Sequence, residues 1–195
     1  MYPHRLHKNR PATVPAGSPA VPADKQLIEI ILLYGELHHD IEQKVNKIER
    51  GFKLDPPVLS GNDSDEYTLA RHLDTAVGQV VAVMTPYLLL PSPFVHRVAT
   101  NHVYSWEEKS IYLAMPSNWP PLLIGALRDG VHDYIVSKTA YELFSSAVPS
   151  DPSYIQTFSR WLQVYELNIQ NLLDCIRNFV SERLGGVKIH PTIFG

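Results

Sequence analysis

Through most of its length this chain carries apolar residues at every third or fourth position, and between two pairs of such stripes, from Asn101 to Pro121, it changes to another spacing. A spacing of three to four is the period of a helix that buries one face. Four such stripes can be traced. The first, from about Asp24 to Arg50, follows Leu27, Ile30, Tyr34, Leu37, Ile41, Val45, Ile48 and Phe52, with Asp24 as N-cap and Gly51 as the stop. Ile28, Ile31, Leu32 and Leu33 widen its first half, which predicts burial there on more than one side. The second starts near Asn62 or Asp63 and carries Leu69, Leu73, Ala76, Val77, Val80, Val81, Met84, Tyr87 and Leu88; Pro86 bends or ends it. The third begins at Pro120-Pro121, follows Leu123, Leu127, Val131, Tyr134, Ile135, Lys138 and Tyr141, and ends before Pro149. Gly125 and Gly130 lower its helix propensity by about 1 kcal/mol each, which predicts close approach of another backbone. The fourth opens with Ser150-Asp151-Pro152 and runs through Ile155, Phe158, Leu162, Tyr165, Ile169, Leu172, Cys175 or Ile176, Phe179 and Leu184 to Gly185-Gly186.

Inside 101–121 the pattern alternates instead. Val103 and Ser105 share one face and Tyr104 and Trp106 the other; Ile111, Leu113 and Met115 then alternate with Ser110, Tyr112 and Ala114. Period two reads as strand, and Trp106 to Ser110 is a polar connection long enough to reverse the chain. The expected architecture is mainly α: a four-helix bundle over 23–184, with a β-hairpin at about 101–116 inserted between helices 2 and 3. An arm at 1–22 and a tail at 185–195 extend from it. Pro3, Pro11, Pro15, Pro19 and Pro22 keep the arm extended, and Arg5, Lys8 and Arg10 make it basic. The tail alternates Val187, Ile189 and Ile193 with polar residues, so it docks either on its own body or on a neighbour.

Hydrophobic residues are 45% and charged residues 19% of the chain, the balance of a globular protein rather than a disordered one. A formal charge of -3 provides no drive toward nucleic acid or anionic membrane. The single cysteine, Cys175, excludes a disulfide framework within the chain. The most apolar run, Val80 to Leu90, contains Pro86 and is too short to span a bilayer, which takes about 20 residues. The start lacks the apolar segment of a secretory signal.

Two Glu/Asp-x-x-His spacings, Glu36 to His39 and Asp129 to His132, suggest a di-metal bundle site. The core positions Leu37, Ile41, Leu127 and Val131 turn Glu36 and Asp129 outward, so no metal and no cofactor are expected. Cys175 at core spacing is an inert thiol, and no nucleophile elbow, P-loop or dinucleotide fingerprint is present. No enzyme activity is expected. Trp106 and Tyr112 either pack on the bundle or belong to a contact surface, where such side chains are enriched.

Leu113, Met115, Pro116, Asn118 and Trp119, followed by Asp133 to Val136 and Tyr141-Glu142, form a strand end and a helix middle. This pattern, over about 70–170, resembles uncharacterised structural proteins of Bacteroidetes phages and prophages, including the crAss-like group. The element order resembles the head–tail connector or adaptor proteins of tailed bacteriophages. The resemblance implies a virion structural protein of the neck, assembled in the host cytoplasm. It implies a homo-oligomeric ring between portal and tail, with other neck and tail proteins as neighbours. It further implies that DNA passes through the channel without sequence-specific binding and that no membrane is involved. Candidate contacts to subunits or partners are Arg5, Lys8, Arg10, Trp106, Tyr112, Ile189, Ile193 and Phe194. Alternatives are a tail completion or minor tail protein, and a cytoplasmic helical binding or regulatory module.

Overall fold

The computed structural model describes residues 20–55, 57–59, 63–89 and 108–181. The chain there is mainly helical, with four helices and one two-stranded antiparallel sheet. In order the elements are β1 (Lys25–Leu33), α1 (Tyr34–Phe52), α2 (Asp63–Met84), β2 (Glu108–Pro116), α3 (Leu123–Phe144) and α4 (Pro152–Val180).

The first expected helix is two elements. Residues 25–33 form a strand, and the helix begins only at Tyr34. Ile28, Ile30 and Leu32 are buried, while Leu27, Glu29, Ile31 and Leu33 between them are half-buried. A run apolar on both faces satisfies a period of two as well as a period of three to four, and its many β-branched residues suit the strand. The predicted burial on more than one side is thus the burial of a sheet. Gly51 does not stop α1; the helix continues to Phe52, and Lys53 takes the left-handed conformation at φ 51°. The Lys53 and Leu54 amides both donate to Glu49 O, and the turn drops Leu54 into the core.

The sheet departs from the expected hairpin. β2 pairs with β1, from Lys25↔Pro116 to Leu33↔Glu108. Glu108 and Lys109, expected in a turn, lie within the strand. The expected partner strand, Val103 to Trp106, lies outside the described residues. Ile28, Ile30, Leu32, Ile111, Leu113 and Met115 share the face that packs into the core. On the opposite face the Glu29 carboxylate accepts from Ser110 Oγ (2.7 Å) and Tyr112 Oη (3.1 Å). The far edge of β2 receives Leu89, whose amide donates to Tyr112 O.

The α3 helix packs against α4, α2 and α1 and touches β1, which accounts for burial around much of its circumference. Its Tyr134 Oη donates to Gln79 Oε1 of α2 at 2.6 Å. Pro120 and Pro121 precede α3 rather than enter it; their carbonyls accept from the Leu123 and Ile124 amides. The glycines of α3 do not mark close backbones: a Cβ at Gly125 would meet nothing within 4 Å, and at Gly130 only Ile176 Cγ1 at 3.7 Å. Pro86 ends α2 as expected, leaving one 3₁₀ turn over Thr85–Tyr87. Asp151 caps α4, accepting from the Ser153 amide at 2.9 Å, with Pro152 in the first turn.

Candidate functional site

The orientation of α4 is set by its aromatic residues. Phe158 stacks on Trp161 (5.7 Å between centroids), and Trp161 stacks on Tyr165 (4.8 Å). Phe52 of α1 and Phe144 of α3 meet Phe158 edge-on. Such pairs add about 0.5–1.5 kcal/mol each beyond the area they bury. With Phe158, Ile169 and Ile176 turned inward, Val164 and Leu167 fall on the outward side, one turn apart. They are 56% and 64% exposed. Gln163, Asn168 and Asn171 are exposed beside them, and the exposed Arg160 lies one turn before Val164 on the same face. Cys175, placed at core spacing in the sequence, is exposed on α4; the core position is Ile176.

A polar seam joins α1, α3 and α4. Lys44 Nζ donates to Ser137 Oγ at 2.7 Å and sits 5.3 Å from the Tyr165 ring centroid. Burial pulls the Lys44 ammonium below its ordinary pKa, against the Asp133 charge that raises it. Burial pushes the Tyr165 phenol up to about 12. Further along the seam, His132 Nε2 lies 3.3 Å from Asp40 Oδ2. Neither Glu36 nor Asp129 is buried; the carboxylates that meet His132 of α3 are Asp40 and, at 3.7 Å from Nδ1, Asp133. Among the described residues no three His, Cys, Asp or Glu side chains gather to hold a metal.

A third feature is an open groove of about 400 Å³ between the loop after α1, the start of α2 and the end of α3. Thr68, His72, Glu142 and Ser146 give it polar walls, and Val58 and Val148 apolar ones. Burial, aided by the Arg71 charge, lowers the His72 pKa, with Glu142 opposing.

Of the predicted contact residues, Tyr112 is described: it is 8% exposed and donates to Glu29, so it holds the sheet together. Arg5, Lys8, Arg10, Trp106, Ile189, Ile193 and Phe194 lie outside the described residues. Trp119 is 4% exposed, and its Nε1–H donates to Phe179 O at 2.8 Å, locking the base of α3 to the end of α4. Val164 and Leu167 were not singled out from the sequence. The signal for them is the two apolar positions opposite the α4 stripe. No helix among the described residues is long and apolar enough to cross a membrane. No family model matches the chain, and no curated protein or solved structure matches it either.

Proposed function

We propose that this chain is a virion structural protein of a tailed bacteriophage, a head–tail connector or adaptor subunit that forms a ring between portal and tail. The observation that carries the assembly reading is the outward pair Val164 and Leu167, 56% and 64% exposed on a rigidly oriented helix. An exposed apolar pair flanked by amides, with Arg160 one turn away, suits a protein contact, where Arg is enriched relative to the rest of the surface. The position in the virion comes from the resemblance over 70–170.

In this reading the body is a four-helix bundle with α3 at its centre, and each copy presents α4 to a different surface of the next. Contacts of that kind close into a ring by rotation. The basic arm, with Arg5, Lys8 and Arg10, and Trp106 extend the contacts to neighbouring copies or to portal and tail proteins. DNA passes through the channel and is not read. A tail completion protein would use the same surface with different neighbours, and a regulatory module would remain a monomer.

The test is a double variant, Val164→Glu with Leu167→Glu. Both side chains are exposed, so stability should stay within about 0.5 kcal/mol. The assembled fraction in a sedimentation experiment should fall at least tenfold. Assembly at the wild-type level would remove the surface from the reading. Deleting residues 1–22 should leave a folded body that no longer joins its neighbours; full incorporation without the arm would exclude the arm's role.

A further inference from the structure

Exposed apolar side chains gather at two separate surfaces. Val164 and Leu167 mark the outward side of α4. Tyr67 and Val148, 64% and 67% exposed, mark the mouth of the groove between the loop after α1, the start of α2 and the end of α3. Val148 lines that groove, and Tyr67 stands beside Thr68, which lines it too. No residue of α4 lines it, so the two surfaces have no residue in common. A contact that joins unlike surfaces is heterologous; it repeats from copy to copy and closes when the rotation between copies allows.

We propose that the groove of one copy is the seat for the outward side of α4 of the next. This rests on the assembly reading above and names the surface that receives α4. The two surfaces match in chemistry. Val164 and Leu167 are branched and apolar, and Val58, Leu143 and Val148 give the groove walls of the same kind. Its volume of about 400 Å³ lies within the range of sites that enclose a group, about 300–1,000 Å³. Gln163 and Asn168 place amides beside the apolar pair, and Thr68 and Ser146 place hydroxyls in the groove. The charges are opposite. Arg160 is exposed one turn before Val164, and the carboxylate that lines the groove is Glu142. Lys138 pairs with Glu142 along α3, yet the Glu142 side chain is left 27% exposed. A carboxylate has about four lone-pair positions, so it can accept from a second cation. Arg71, whose charge reaches His72, makes the α2 wall unfavourable for a cation. Arg160 of the next copy is therefore assigned to the α3 wall, at Glu142. The Phe158–Trp161–Tyr165 stack fixes the rotation of α4, so this face is presented without rearrangement.

The experiment is thiol cross-linking on the full chain with its exposed cysteine removed by Cys175→Ser. Ser146→Cys puts a thiol in the groove and Gln163→Cys puts one beside Val164; both positions are exposed. In a mixture of the two variants, a short bismaleimide should join one to the other at least tenfold more than it joins either to itself. Val148→Glu, at an exposed position, should lower the assembled fraction in sedimentation at least tenfold with an unchanged melting temperature. A cross-link formed by Gln163→Cys alone would overturn the proposal, because it would set α4 against α4. Full assembly of Val148→Glu, with Val164→Glu plus Leu167→Glu unable to assemble, would also overturn it and leave the ring reading standing. Wild-type protein that stays a single copy at every concentration would remove both.

Discussion

Glu49 is 9% exposed at the end of α1, yet it is not an idle buried charge. Its carboxylate accepts from the Val58 and Leu59 amides, so the loop after α1 is tied to the helix it leaves. Asp151 does the same for α4 at the surface. Asp151→Ala should cost about 1 kcal/mol in urea unfolding, the usual worth of an N-cap. His72 gives a pH dependence of definite sign. Its folded pKa lies below the ordinary 6.5, so the unfolded chain takes up the proton first as pH falls. Stability should therefore decline from about pH 6.5 downward until the folded pKa is passed, and then level off for this group. The variant His72→Gln should show a flatter melting temperature between pH 7.5 and 5; an unchanged slope would assign the effect to other groups.

At the scale of elements, the ends of helices were legible where chemistry marks them: Pro86 at the end of α2, and Asp151-Pro152 at the start of α4. The stripes Leu37-Ile41-Val45 and Leu69-Leu73-Ala76-Val80 are the buried faces read from spacing. β1 was not legible, because Leu27-Ile30-Tyr34 and Ile28-Ile30-Leu32 fit two periods equally well. What decides between them is β2, and Glu29 meets Tyr112 across 83 positions of sequence. No local pattern records that pairing. The outward pair on α4 was visible as a departure from its stripe, but its meaning depends on which way Phe158 and Trp161 turn the helix. Trp119 ties three elements at once, through Phe179 and Gln26. Trp119→Phe keeps most of the apolar bulk and deletes the donor to Phe179 O, so it should cost about 1–2 kcal/mol in denaturant unfolding. A cost below about 0.5 kcal/mol would mean that water replaces the indole.

At the scale of the molecule, the helices and the sheet share one cluster of buried apolar side chains, from Ile28 to Val180. Some of the polar groups at its margin bond across elements, Tyr134 to Gln79 and Lys44 to Ser137, while Thr139 Oγ1 on α3 is buried without a hydrogen-bond partner. Val164 and Leu167 lie outside that cluster, on the exposed side of α4, and the proposed assembly uses them. The central claim is that copies of this chain assemble. The most direct test is the particle mass of the purified full-length protein, measured by mass photometry across a dilution series. The account predicts a closed species of many copies whose mass is an integer multiple of 22.0 kDa. A single species of one copy, unchanged by concentration and by mixing with portal or tail proteins, would contradict it.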